Sequence, residues 1–278
     1  MIISLKYNYI FIHVPKTGGN SVTHTLKNNC TGRHDFVSTS LSMTHPQALT
    51  VHRMLNSVEE KFSKSFFTFC FVRNPWDRIA SYYYFVLRTP RHYRHNEIVR
   101  IGSFEKFVFQ CKPPISCSSF CFDNNGNCLV DYIGQCETLQ KDFDHICSIL
   151  SMPSHNLPLR NISNRPSSKE LYNQKMAEHI SKIYDEDIER FGYSFEGTRK
   201  SQIPLHKPLR KWKQKQEIPE RLHPICYNQF FSHSIRTVIN NKSLLTQKRQ
   251  TCPKNRSIKR IIKKFLQKTI KKLVPMTY

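Results

Sequence analysis

Tyr9-Ile-Phe-Ile-His-Val-Pro-Lys-Thr-Gly-Gly-Asn-Ser21 is the stretch that decides the fold. Tyr9 to Val14 form an unbroken β-prone run, the pattern of a strand covered on both faces in a parallel sheet. Pro15 to Ser21 follow at once with small and polar residues. Val22 to Asn29 can then be helical, with Val22, Thr25 and Leu26 on one side. Strand, short loop and helix in this order open an α/β unit. Paired glycines at such a junction expose successive backbone N–H groups. The helix N-terminus adds partial positive charge, and Lys16 adds a full one. Thr17 and Ser21 bring hydroxyl donors. The loop therefore reads as an anion cradle of the phosphate-binding kind, and its bland alternative is a tight turn with a solvated lysine. It is not a Walker A loop, in which the lysine follows the glycines.

The pattern recurs. Phe66-Phe-Thr-Phe-Cys-Phe-Val72 is a second buried strand, and Arg73-Asn-Pro-Trp-Asp-Arg78 starts a second helix. Asn74 suits the N-cap, Pro75 the first helical position and Asp77 the third. The helix runs on through Leu87, and Asn74, Arg78 and Ser81 share one of its faces. Arg73, at the carboxyl end of a strand beside a helix N-terminus, is again placed for a phosphate. Arg73 and Arg78 could equally pair with Asp77 or other carboxylates. Two anion sites in one domain point to a ligand with two anionic groups, such as a nucleotide phosphorylated at both ends.

Further along, 46–55 reads as a helix, 88–128 as irregular, and 129–133 as a third short strand. Leu139, Phe143, Ile146, Cys147 and Leu150 make a helical stripe. Ser167 or Ser168 can cap one long helix with Leu171, Met176, Ile180, Ile183, Ile188 and Phe191 inside. Phe191 to Phe195 close the domain. Residues 197–257 read as a basic, poorly structured linker, and 258–273 as a basic amphipathic helix of the membrane-surface type.

The chain has 278 residues, 38% hydrophobic and 23% charged, which is enough to bury a core and excludes wholesale disorder. No run of 18 uncharged apolar residues exists, so no spanning helix is expected. The net charge of +23 is uneven. Residues 1–196 hold 22 of the 43 Lys/Arg and 18 of the 20 Asp/Glu, a net of +4, and 197–278 carry the remaining +19. The basicity belongs to the tail, so nucleic acid is not an expected partner of the fold. Cys111, Cys117, Cys121 and Cys128 are too irregularly spaced for a zinc site, and no metal is expected. Two disulfides could form there. With no export signal visible, reduced thiols and a cytoplasmic setting are the default. A Golgi lumen is the alternative if the chain is an excised domain.

The pair Phe11-Ile-His-Val-Pro-Lys-Thr-Gly-Gly-Asn-Ser21 and Phe67-Thr-Phe-Cys-Phe-Val-Arg-Asn-Pro-Trp-Asp-Arg78 resembles the PAPS-dependent carbohydrate sulfotransferases, sulfotransferase family 2. Asp131 to Phe143, Leu157 to Ser163 and Ile183 to Phe195 add weaker similarity in the right order. The resemblance spans about residues 1–195. It implies a P-loop-like three-layer α/β fold, with a central parallel sheet flanked by helices, followed here by the basic extension. Its donor is 3′-phosphoadenosine 5′-phosphosulfate (PAPS), used without a metal. By resemblance, Lys16, Thr17, Gly18, Gly19, Asn20 and Ser21 surround the 5′-phosphosulfate, and Arg73 and Ser81 hold the 3′-phosphate. Asn20 replaces the threonine usual in the family. Asn161 and Ser163 mark a cofactor-side loop. Lys16 would stabilise the leaving phosphate.

Relatives carry a histidine before a helix start between the two loops. Ser42-Met-Thr-His-Pro-Gln-Ala48 occupies that place, so His45 is the expected base, with His52 as the alternative. The acceptor would be a carbohydrate hydroxyl, on an acidic polysaccharide or a glycolipid for example. Arg88, Arg91, Arg94 and Arg100 are candidates to meet it. The tail helix could add peripheral membrane contact. Two other readings stay open. One is a P-loop nucleotide kinase or nucleotide-binding module, which needs a lysine after the glycines. The other is a basic polyanion- or membrane-binding protein whose tail does the work.

Overall fold

A computed structural model of the chain describes residues 2–4, 6–29, 36–37, 66–123, 125–158 and 165–198. The expected helix at 46–55, His45, His52, Asn161, Ser163 and the segments 199–257 and 258–273 lie outside the described residues.

Five strands form one sheet: β1 (Ile2–Ser4), β2 (Tyr9–Ile12), β3 (Phe36–Val37), β4 (Phe67–Val72) and β5 (Tyr132–Gln135), in the order β3-β1-β2-β4-β5. The heart is parallel. Tyr9 pairs with Phe67, and Phe69 pairs with Tyr132. β1 runs antiparallel to β2 and β3. Both apolar runs are buried along their whole strand lengths, as their lack of alternation predicts.

On one face Phe67, Phe69 and Phe71 pack with Tyr9 and Phe11. Val22 and Leu26 of α1 (Gly19–Asn29) cover them, as do Phe143 and Ile146 of α6 (Leu139–Ile149). On the opposite face Cys70 meets Cys121 of α5 (Ser118–Cys121) at 3.4 Å between sulfurs. The cysteines at 111, 117, 121 and 128 are free thiols.

A second core forms among helices. Trp76, Ile79, Tyr83 and Val86 of α2 (Pro75–Leu87) pack on Ile98, Phe104, Phe107, Met176 and Ile180. The segment 88–128 is thus more regular than its sequence suggests. It holds α3 (His95–Ile101) and α4 (Phe104–Gln110) as well as α5. Gly102, at φ +80°, ends α3, and the Ser103 hydroxyl accepts the Lys106 N–H to start α4. The third strand begins three residues later than expected. The Asp131 carboxylate accepts from the Thr68 N–H and hydroxyl, both at 2.8 Å, and pins 129–131 beside β4 as irregular chain.

The long helix expected after Ser167 is three pieces: α7 (Ser168–Leu171), α8 (Gln174–Ile183) and α9 (Asp185–Phe191). Asn173 caps a fresh start by accepting the Met176 N–H at 2.9 Å, and Gly192 at φ +69° ends the last piece. A short hairpin of β6 (Tyr193–Ser194) and β7 (Gly197–Thr198) follows. No described helix is long and apolar enough to cross a membrane.

Candidate active site

The loop between β2 and α1 is locked by its own groups. The Thr17 side chain is buried, and its hydroxyl donates to the Val14 carbonyl at 3.0 Å. Its hydroxyl proton thus braces the loop from within. The Ser21 N–H donates to the Gly18 carbonyl at 3.0 Å. Lys16 sits at φ +68°, unusual for a residue with a side chain. Gly18 sits at φ +79°, a strained backbone for any side chain, and a Cβ there would lie 2.7 Å from Leu139 Cδ2 and force it to shift. At Gly19 a Cβ would lie 2.6 Å from the His13 ring.

The second loop reaches across to the first. Arg73 Nη1 donates to the Lys16 carbonyl at 3.3 Å, and Arg78 Nε donates to the Pro15 carbonyl at 3.1 Å. Two adjacent carbonyls are thereby tied back. The N–H groups of Gly18, Gly19 and Asn20 donate to no acceptor among the described residues, as expected of a helix N-terminus. Their partner would be an anion. Arg78 is fully buried, and its Nη2 donates to the Ile115 carbonyl at 2.6 Å. Its Nη1 has no partner among the described residues. It is a brace between loops, not the surface ion pair that its sequence position allowed.

The base of α2 is fixed from several directions. The Asn74 side chain accepts the Trp76 N–H at 3.2 Å, and its Nδ2 donates to the Ser194 carbonyl. The Asn74 N–H donates to Glu137 at 2.8 Å, and the Tyr193 hydroxyl donates to the same carboxylate at 3.1 Å. Burial pushes the Glu137 carboxyl up despite these donors and the nearby Arg73. Asp77 accepts from the Ser168 hydroxyl at 2.6 Å and from Arg165 at 2.9 Å. Desolvation raises its pKa, but these donors and the Arg73 charge outweigh it and leave Asp77 below the usual carboxylate range. Ser81 is buried on α2.

Positive charge converges on Lys16. Burial, then Arg73, then Arg88 push its pKa down to about 8. The ammonium stands 4.0 Å over the Phe85 ring. His13, accepting from or donating to the Thr23 hydroxyl at 3.3 Å, is pushed down to about 4, chiefly by burial and further by neighbouring positive charge, Lys16 included. It is a neutral imidazole at pH 7.

Lys16, Thr17, Gly18, Gly19 and Arg73 are thus brought together. Ser21 is buried and Asn20 exposed at the start of α1, and Ser81 lies one turn beyond Asp77 on α2. Of the four arginines offered to the acceptor, Arg94 is spent: it is buried, forks onto Glu97 at 2.7 Å and donates to the Lys112 carbonyl. Arg91 and Arg100 are exposed, and the Arg88 charge repels the Lys16 ammonium and helps lower its pKa. Sequence reasoning passed over His13, Phe85, Glu137 and Arg165. His13 directly follows β2, just before the loop, which was a usable clue. The other three enter only through tertiary folding.

Among the described residues no group of three His, Cys, Asp or Glu side chains is placed to hold a metal ion. The family model described as "Sulfotransferase family" matches residues 1–194. No curated protein and no solved structure matches the chain.

Proposed function

The chain belongs to the sulfotransferase family, and from that premise we propose that it moves a sulfuryl group from PAPS to a hydroxyl of a carbohydrate. Membership supports sulfuryl transfer itself. The donor, the acceptor class and the residue roles are our reading.

In that reading Lys16 neutralises the charge that grows on the departing 5′-phosphate oxygen. The Gly18 and Gly19 N–H groups, with Asn20 and Ser21 at the helix start, hold the phosphosulfate. Arg73 and Ser81 hold the 3′-phosphate. His45 removes the proton of the acceptor hydroxyl as its oxygen attacks sulfur in line and the bond from sulfur to the phosphate oxygen breaks. 3′-Phosphoadenosine 5′-phosphate (PAP) leaves. No step asks for a metal.

One observation supports this reading: Arg73 reaches the Lys16 carbonyl, so the two cationic loops lie side by side. A ligand phosphorylated at both ends can therefore bridge them. Calorimetric titration and thermal shift with PAP, against ATP and adenosine 5′-phosphosulfate, test it. Stabilisation that requires the 3′-phosphate is expected. Equal or absent responses to all three would sink it.

We further propose that 197–278 act beside the catalytic domain, with 258–273 lying on an anionic surface.

A further inference from the structure

Lys16 is a cation among cations. Arg73 approaches from the end of β4, Arg88 from the end of α2, and the neutral rings of His13 and His92 from the end of β2 and the turn after α2. No carboxylate among the described residues forms an ion pair with it. Asp77, close to Arg73, is already engaged by Arg165 and Ser168. What receives the ammonium is the face of Phe85, at 4.0 Å from the ring centroid. A ring face attracts a desolvated cation through its quadrupole.

Phe85 is itself held. The His92 ring packs edge-on against it, with centroids 5.8 Å apart and planes at 85°. His92 Nδ1 accepts the Arg94 N–H at 3.2 Å, which keeps any proton of the neutral ring on Nε2. Arg94 is clamped in turn by Glu97. A run of contacts from Glu97 through Arg94 and His92 thus fixes the ring under Lys16.

We propose that Phe85 is the positioning residue of Lys16: its ring face seats the ammonium beside the phosphate loop and leaves N–H donors for the donor's 5′-phosphate. The inference rests on the role given to Lys16 above. A flexible four-carbon side chain would otherwise sample water and approach the phosphate at an entropic cost. Seated on the ring, it meets the donor already aimed, and it is held close to Arg73 and Arg88 by the same contact. The low pKa of Lys16 is consistent with that enforced closeness.

The test compares full-length wild type, Phe85→Leu and Phe85→Tyr. PAP affinity is measured from pH 7 to 9.5, and PAPS breakdown is followed at saturating donor. Phe85→Leu is expected to lose about tenfold in turnover and severalfold in PAP affinity at pH 7.5. Its affinity should also fall at higher pH than in wild type, because an unseated ammonium moves into water away from the arginines. Phe85→Tyr keeps a ring face and should restore both. A folded Phe85→Leu protein with wild-type affinity, turnover and pH profile overturns the proposal.

A measurement on wild type needs no variant to fold. The Lys16 ε-methylene protons should be shifted upfield by the ring current and stay so with PAP bound. Ordinary lysine shifts in both states overturn the seat. If wild type fails to bind PAP while the upfield shift is present, the sulfotransfer reading of the loop is what fails, and the positioning role falls with it.

Discussion

Two side chains make the site's pH behaviour predictable. Lys16 loses its proton near pH 8 in the free protein. An anionic ligand favours the protonated form, so binding near that pH takes up a proton. PAP affinity should therefore fall as pH rises through 8 to 9. Titrations in buffers of different ionisation enthalpy should show proton uptake at pH 8 and little at pH 6.5. Removing the ammonium by Lys16→Ala should cut turnover at least about a hundredfold, as loss of one electrostatic group commonly does, with the melting temperature kept or raised.

His13 acts on stability. Its folded pKa, about 4, lies below the ordinary 6.5. Below pH 6.5 the unfolded chain takes up a proton that the folded chain refuses, so stability falls until pH 4 and then levels. The loss is on the order of 3 kcal/mol. Urea unfolding from pH 7 to 4 should show this slope, and His13→Gln should flatten it.

At the scale of elements, the strongest coupling runs from α2 to the phosphate loop. Arg78 joins the Pro15 and Ile115 carbonyls from a fully buried position, close to the buried carboxylate of Asp187. Arg78→Met should leave the two carbonyls unpaired and remove the cation beside Asp187, which keeps its Cys117 and Ser118 N–H donors, and cost on the order of 3 kcal/mol. Denaturant melts of the two proteins measure it.

The elements also show what could be read in advance. The two apolar runs, the loop glycines and the Asn74-Pro75 helix start act through near neighbours and are legible in the sequence. The irregular stretch at 129–131 depends on Asp131 finding Thr68, and the break in the 168–191 helix before Gln174 on a cap at Asn173. The regular helices within 88–128 hang on a left-handed glycine and on packing against α2. In the site, the spacing exposes Lys16 and Arg73. It does not tell that Thr17 turns inward, that Arg94 is consumed by Glu97, or that Phe85 lies beneath the lysine. Each of these is a contact between distant segments or a choice of rotamer.

The whole molecule carries its charge in two unequal parts: a near-balanced 1–196 and a tail of net +19. The groups assigned to the donor fall between Lys16 and Ser81, with the cofactor-side loop at Asn161 and Ser163, all ahead of the tail. Removing 199–278 should thus change PAP affinity by less than about twofold. It should abolish salt-sensitive binding to vesicles containing anionic lipid, at roughly 1 kcal/mol per basic residue near the surface. Co-sedimentation of the full-length and shortened proteins separates the two roles, and equal partitioning would remove the membrane idea.

The carbonyls of Pro15 and Lys16 are gripped by arginines more than fifty residues downstream. The glycine loop is therefore no self-contained cassette. Spliced into a foreign strand-helix junction without its two guanidinium clasps, the same seven letters would relax and close over their own amides. An engineer wishing to transplant this chemistry has to carry both β-α units together.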